Sequence, residues 1–160
     1  MYVAYEEMPK ESRVWVYQAS RSFNAEELHL IEENLKLFLN DWTKHGTGLK
    51  ASYKIDYNQF ITLVVDENFN AVSGCSIDAS VRFLKEIETH IGVDLMNKMI
   101  VAYKLEDALE FVPMMEFSKR AKSGQVDAET IVFNNLVQTK ADKDHNWEVP
   151  ASASWHKRYF

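Results

Sequence analysis

The chain has one cysteine, three prolines and five glycines among 160 residues, and each scarcity removes a class of protein. A single thiol closes no internal disulfide, so nothing here relies on an oxidising compartment. With five glycines, phosphate-cradling loops are quickly checked. No G-x-x-x-x-G-K-[ST] is present, which excludes a P-loop ATPase. "GTGLKA", Gly46 to Ala51, matches G-x-G-x-x-A in its letters. It follows a helix pattern and precedes a strand pattern, the reverse of the dinucleotide fingerprint. H-E-x-x-H, C-x-x-C, G-x-S-x-G and EF-hand loops are missing too. The five histidines are scattered without zinc-ligand spacing, so neither metal nor cofactor is expected.

Long apolar runs are also lacking. No stretch approaches the ~20 apolar residues of a membrane span, and "MYVAYEEMPKES" has no apolar run behind a basic start, as a signal peptide requires. Positive charge is in deficit. The net charge of −6 disfavours nucleic acid, whose phosphates demand a basic face, and anionic membrane surfaces alike. The short cluster Lys119, Arg120 and Lys122 does not reverse that balance. The expectation is a cytoplasmic protein whose partner is another protein or a small anionic ligand, with no nucleic acid and no membrane. Oligomeric state leaves no trace in the sequence.

What is present describes an ordinary folded domain. Apolar residues make up 46% and charged residues 26%, and 160 residues suffice for a single domain with one core. "SRVWVYQAS" alternates Val14 and Val16 with Trp15 and Tyr17, a strand signature. In "FNAEELHLIEENLKLFLNDW", Asn24 caps with Glu27 three residues on, and Leu28, Ile31, Leu35, Phe38, Leu39 and Trp42 recur at helical spacing. "KHGTG" ends that helix. "LKASYKIDYNQFITLVVDE" reads as two strands joined at "YNQ", the second buried on both faces. A second helix carries Val81, Leu84, Ile87 and Ile91 on one face and stops near Gly92, and "MIVAYKL" makes a further strand. The order β-α-β-β-α-β predicts an α+β fold, a ferredoxin-like split βαβ core over about residues 12–112. A C-terminal extension over about 113–160 adds a short helix after Pro113, a strand in "TIVFNNLV" and an aromatic tail.

Three groups of residues are candidates for function. Cys75, the only cysteine, stands in "SGCSID" at a helix entrance, where unpaired N–H groups and the helix dipole favour a thiolate. The same residues describe a plain helix start, and free cysteine is commonly a small buried apolar residue. A split βαβ fold brings "KHGTG" beside "SGCS". His45 is then a candidate base for Cys75, with Asp66 or Glu67 as orienting carboxylate. The alternative is a histidine drawn to a helix C-terminus by the dipole. The backbone amides of Gly74, Cys75 and Ser76 are a candidate anion seat needing no covalent chemistry. Finally, Trp147, Trp155, His156, Tyr159 and Phe160 form either a partner-binding anchor or a piece of the core, since tryptophan serves both ends. The leading expectation is a binding or interaction domain of unknown function. The alternative is a thiol-based hydrolase or transferase using Cys75 and His45.

"SGCSIDASVRFLKEIE", together with "SRVWVYQASR", "TIVFNNLVQTK" and "NWEVPASASWHKRYF", resembles a family of small uncharacterised bacterial proteins over nearly the whole chain. Members are sometimes labelled "ABC transporter ATPase". This chain has neither a Walker A lysine loop nor an LSGGQ-like signature, so the resemblance implies no activity and no site residues.

Overall fold

Alternating apolar residues in β1 (Arg13–Gln18) and the nearly unbroken apolar run of β5 (Phe60–Val65) build the first sheet, with β4 (Ala51–Asp56) on its far side. These and all other features belong to a computed structural model that describes residues 1–160. The chain forms two units, Met1–Met96 with Gln138–Lys140 (unit 1) and Asn97–Val137 with Ala141–Phe160 (unit 2).

In unit 1 the strand order is β1-β5-β4, antiparallel throughout, with Val16 opposite Thr62 and Lys54 opposite Thr62 on the other side. β5 is buried on both faces, as its continuous apolar run requires. Two helices cover the face that carries Ile61, Leu63 and Val65. α1 (Ala25–Asp41) starts at Asn24, whose side chain accepts from the Glu27 N–H while Glu27 reaches back to the Asn24 N–H, a complete capping box. α2 (Gly74–Ile91) ends at Gly92, which takes the left-handed conformation, φ 70°. Ile31, Leu35 and Leu39 of α1 and Leu84 and Ile87 of α2 meet the sheet in one core. Each such side chain contributes about 1.5–3 kcal/mol when fully buried. Between α1 and β4 lies a small hairpin, β2 (Thr43–Lys44) and β3 (Thr47–Gly48).

The turn from β4 to β5 runs through Tyr57 (φ 54°) and Asn58 (φ 52°), closed by the Gln59 N–H donating to the Asp56 carbonyl at 3.1 Å. Two successive left-handed residues match the right-handed strand twist. Asn58 suits that conformation and Tyr57 does not. A glycine was not needed to make the hairpin.

Unit 2 is built on a second antiparallel sheet. β6 (Ile100–Leu105) and β7 (Ala108–Pro113) form a hairpin, and β8 (Ile131–Phe133) and β9 (Glu148–Pro150) extend it in the order β7-β6-β8-β9. α3 (Met114–Lys122) follows β7 directly, with Pro113 at its N-cap, and α4 (Lys140–Asn146) precedes β9. Phe117 of α3, fully buried, centres a core of Val101, Tyr103, Val112, Val126, Val132 and Ala151.

The mixed α+β class holds, with antiparallel sheets only. The closing strand of the split βαβ order is where the structure departs from expectation. Ile100–Leu105 pairs with β7 and β8 in unit 2 instead of lying beside β1. The reason is local. Only two residues, Glu106 and Asp107, separate it from Ala108, and a two-residue hairpin needs no crossover. The outer edge of β1 receives a much shorter segment. Thr139 bridges to Arg13, the Val14 N–H donates to the Gln138 carbonyl (3.0 Å), and the Lys140 N–H donates to the Ser12 carbonyl (2.8 Å). Across the sheet, Tyr2 makes a parallel bridge to Ala51 on β4. Both margins of the three-stranded sheet are thus partly paired, which limits its exposed edges.

Candidate functional site

Ser73 stops the preceding loop in an extended conformation (φ −117°, ψ 170°) and caps α2. Its Oγ accepts from the Ser76 N–H at 3.1 Å, and the Ser73 N–H donates to Ser76 Oγ at 3.3 Å. Ser76 Oγ in turn donates to the Thr43 carbonyl at 2.9 Å. From α1's end, Trp42 Nε1 donates to the Ser76 carbonyl at 2.8 Å. A third tie comes from the loop before α2, where Asn70 Nδ2 donates to the Gly48 carbonyl (3.1 Å) and the Thr47 carbonyl (3.3 Å). The hairpin β2–β3 and the start of α2 are therefore fastened together. This is the juxtaposition of "KHGTG" and "SGCS" that the split βαβ order implied.

Proximity does not make a catalytic set. Cys75 is exposed, and His45 is exposed at the hairpin tip with φ 49° beside Gly46 at φ 82°. No hydrogen bond joins the thiol to the imidazole. The two carboxylates proposed to orient His45 are engaged elsewhere. Asp66 Oδ1 accepts from the Asn68 N–H at 3.0 Å and Oδ2 lies 3.9 Å from Lys50 Nζ. Glu67 pairs with Arg13 at 3.3 Å.

The anion seat is narrower than three amides. The Ser76 N–H is consumed by the cap, and the Ile77 N–H donates to the Ser73 carbonyl at 3.0 Å. Gly74 and Cys75 keep open N–H groups on an exposed rim at the positive end of an 18-residue helix. Space above Gly74 is clear, since a Cβ there would meet nothing within 4 Å. Phe69, 58% exposed, stands on the same loop. Trp42, tied to Ser76, meets Trp15 edge-on at 6.4 Å, and the Arg13 guanidinium sits 4.7 Å over the Trp15 ring. The ties made by Asn70, Trp42 and Ser76 were not anticipated. An Asn in a turn-rich loop was the one available signal, while Trp42 reads in sequence as an ordinary helical apolar position.

The aromatic tail is mostly interior. Trp147 is buried, its ring tilted against that of Phe133 with centroids 4.8 Å apart, and Nε1 donates to Asn135 Oδ1 at 2.9 Å. His156 is 1% exposed, its Nδ1 lies 2.8 Å from Ser154 Oγ, and Trp155 stacks on its ring at 3.9 Å. Burial pushes the His156 pKa down to about 4, because a low-dielectric surrounding disfavours the imidazolium. Phe117 holds the end of the tail, with ring centroids 5.3 Å from Tyr159 and 6.2 Å from Phe160. Of the five residues considered as a partner anchor, Trp147 and His156 face inward. Trp155 and Tyr159 pack half-buried on the Phe117 core, and Phe160 alone is exposed.

No group of three or more His, Cys, Asp or Glu side chains is arranged to hold a metal ion, and no helix is long and apolar enough to cross a membrane. No family model matches the chain, and comparison with curated proteins and with solved structures gives no match.

Proposed function

We propose that the protein is a binding domain whose site is the fastened loop end of unit 1, and that it takes a small anionic group, free or carried by a protein partner. The observation that carries this reading is the pair of open N–H groups on Gly74 and Cys75, held by the Ser76–Thr43 bond beside the exposed hairpin. Two amides and a helix dipole suit a phosphate or carboxylate oxygen. Amide-resolved NMR during titration with inorganic phosphate tests it. Shifts should concentrate at Gly74, Cys75 and the His45–Thr47 tip. Absent or uniformly spread shifts would end this reading.

Thiol chemistry is the second reading, favoured by the exposure of Cys75 at the second position of a long helix. A thiol-based hydrolase or transferase needs the hairpin tip to swing so that His45 reaches the sulfur as general base. Alkylation rates measured against pH decide it. A reactive midpoint at or above the ordinary ~8.5 leaves no activated nucleophile.

Unit 1 keeps the first five elements of the β-α-β-β-α-β order, and we read it as a ferredoxin-like arrangement in which Gln138–Lys140 stands at the fourth strand's edge. We also place the chain in the small bacterial family that its quoted segments resemble. A cytoplasmic location fits a lone, unpaired thiol and a net charge of −6.

A further inference from the structure

We draw no further inference here: the strongest candidate, the outer edge of β1 at Val16, left unpaired by the Gln138–Lys140 segment, carries nothing because no observation shows what covers it.

Discussion

Unit 1 and unit 2 reach order by different routes. Unit 1 rests on two helices of 17 and 18 residues with complete capping boxes, and on an interior dominated by leucine, isoleucine and valine. Unit 2 has helices of nine and seven residues and short 3-10 turns. Rings gather around its buried Phe117, with Tyr103 and His156 inside and Tyr159 and Phe160 closing over it from the surface. Charge is unequal as well, with ten basic against fifteen acidic side chains in unit 1 and eight against nine in unit 2. Periodicity creates the first unit's apolar face before any tertiary contact forms. In the second, helices this short are marginal by themselves and need distant rings to hold them.

The sharpest way to break this contrast is Phe117→Ala. Removing a fully buried ring that touches four others should cost about 3–5 kcal/mol. Hydrogen exchange should then show protection lost first in β6, β7 and α3, with α1 and α2 surviving. Equal loss in both units would mean that the Phe117 cluster does not hold unit 2 in particular.

Acid is the next lever. His156 is neutral in the fold down to about pH 4, whereas an unfolded histidine takes its proton near 6.5. Between those values the unfolded state binds more protons, so stability is full above pH 6.5, falls as pH drops towards 4, and levels off below. The loss attributable to this residue is on the order of 3 kcal/mol. Urea denaturation of wild type and His156→Gln across that window should show the difference shrinking as pH falls. Parallel curves would contradict a buried neutral imidazole.

Smaller effects belong to unit 1. Ser73→Ala removes the cap of α2 and should cost about 1 kcal/mol. It should also loosen the hairpin, because freeing the Ser76 N–H disturbs the hydroxyl that reaches Thr43; NMR line widths at His45 and Gly46 would report it. Sharp, unmoved signals would show that the hairpin is held without Ser76. The smallest change is a gain. Thr62 Oγ1 is buried without a hydrogen-bond partner, so Thr62→Val should stabilise by up to about 1 kcal/mol in thermal or urea melts. A loss would mean that the hydroxyl has a partner in solution.

How much was legible follows the same division. Asn24, Glu27 and the leucines after them carry α1 openly, and Gly92 marks the end of α2. The hairpin at Tyr57 was legible in place, although its left-handed tyrosine was not. β7 escaped notice because Leu109, Phe111 and Val112 are few and Pro113 draws the eye to the following helix. β8 ends at Phe133, short of the apolar run to Val137, since Asn134 Oδ1 accepts from the Leu136 N–H and bends the chain away from the ladder. At the candidate site, topology alone indicated that the hairpin meets α2. Which residue caps α2 was beyond it, because Ser73, Ser76 and Asp78 all have a claim in sequence, and Ser73 is the one that takes the Ser76 amide. The aromatic tail was ambiguous by nature. Rings that fill a core and rings that grip a partner are the same residues, and only burial separates them.

The Gln138–Lys140 segment has a consequence for how the molecule is made and divided. Unit 1 draws one margin of its sheet from residues that follow most of unit 2 in the chain, so a growing polypeptide cannot finish its first sheet until residue 140 has been added. The contact between Arg13 and Thr139 is correspondingly slow to form by chain search. A fragment ending at Met96 would display the amide of Val14 as a bare strand edge, prone to pairing with another molecule. The units are interleaved along the chain, and a single cut does not separate them.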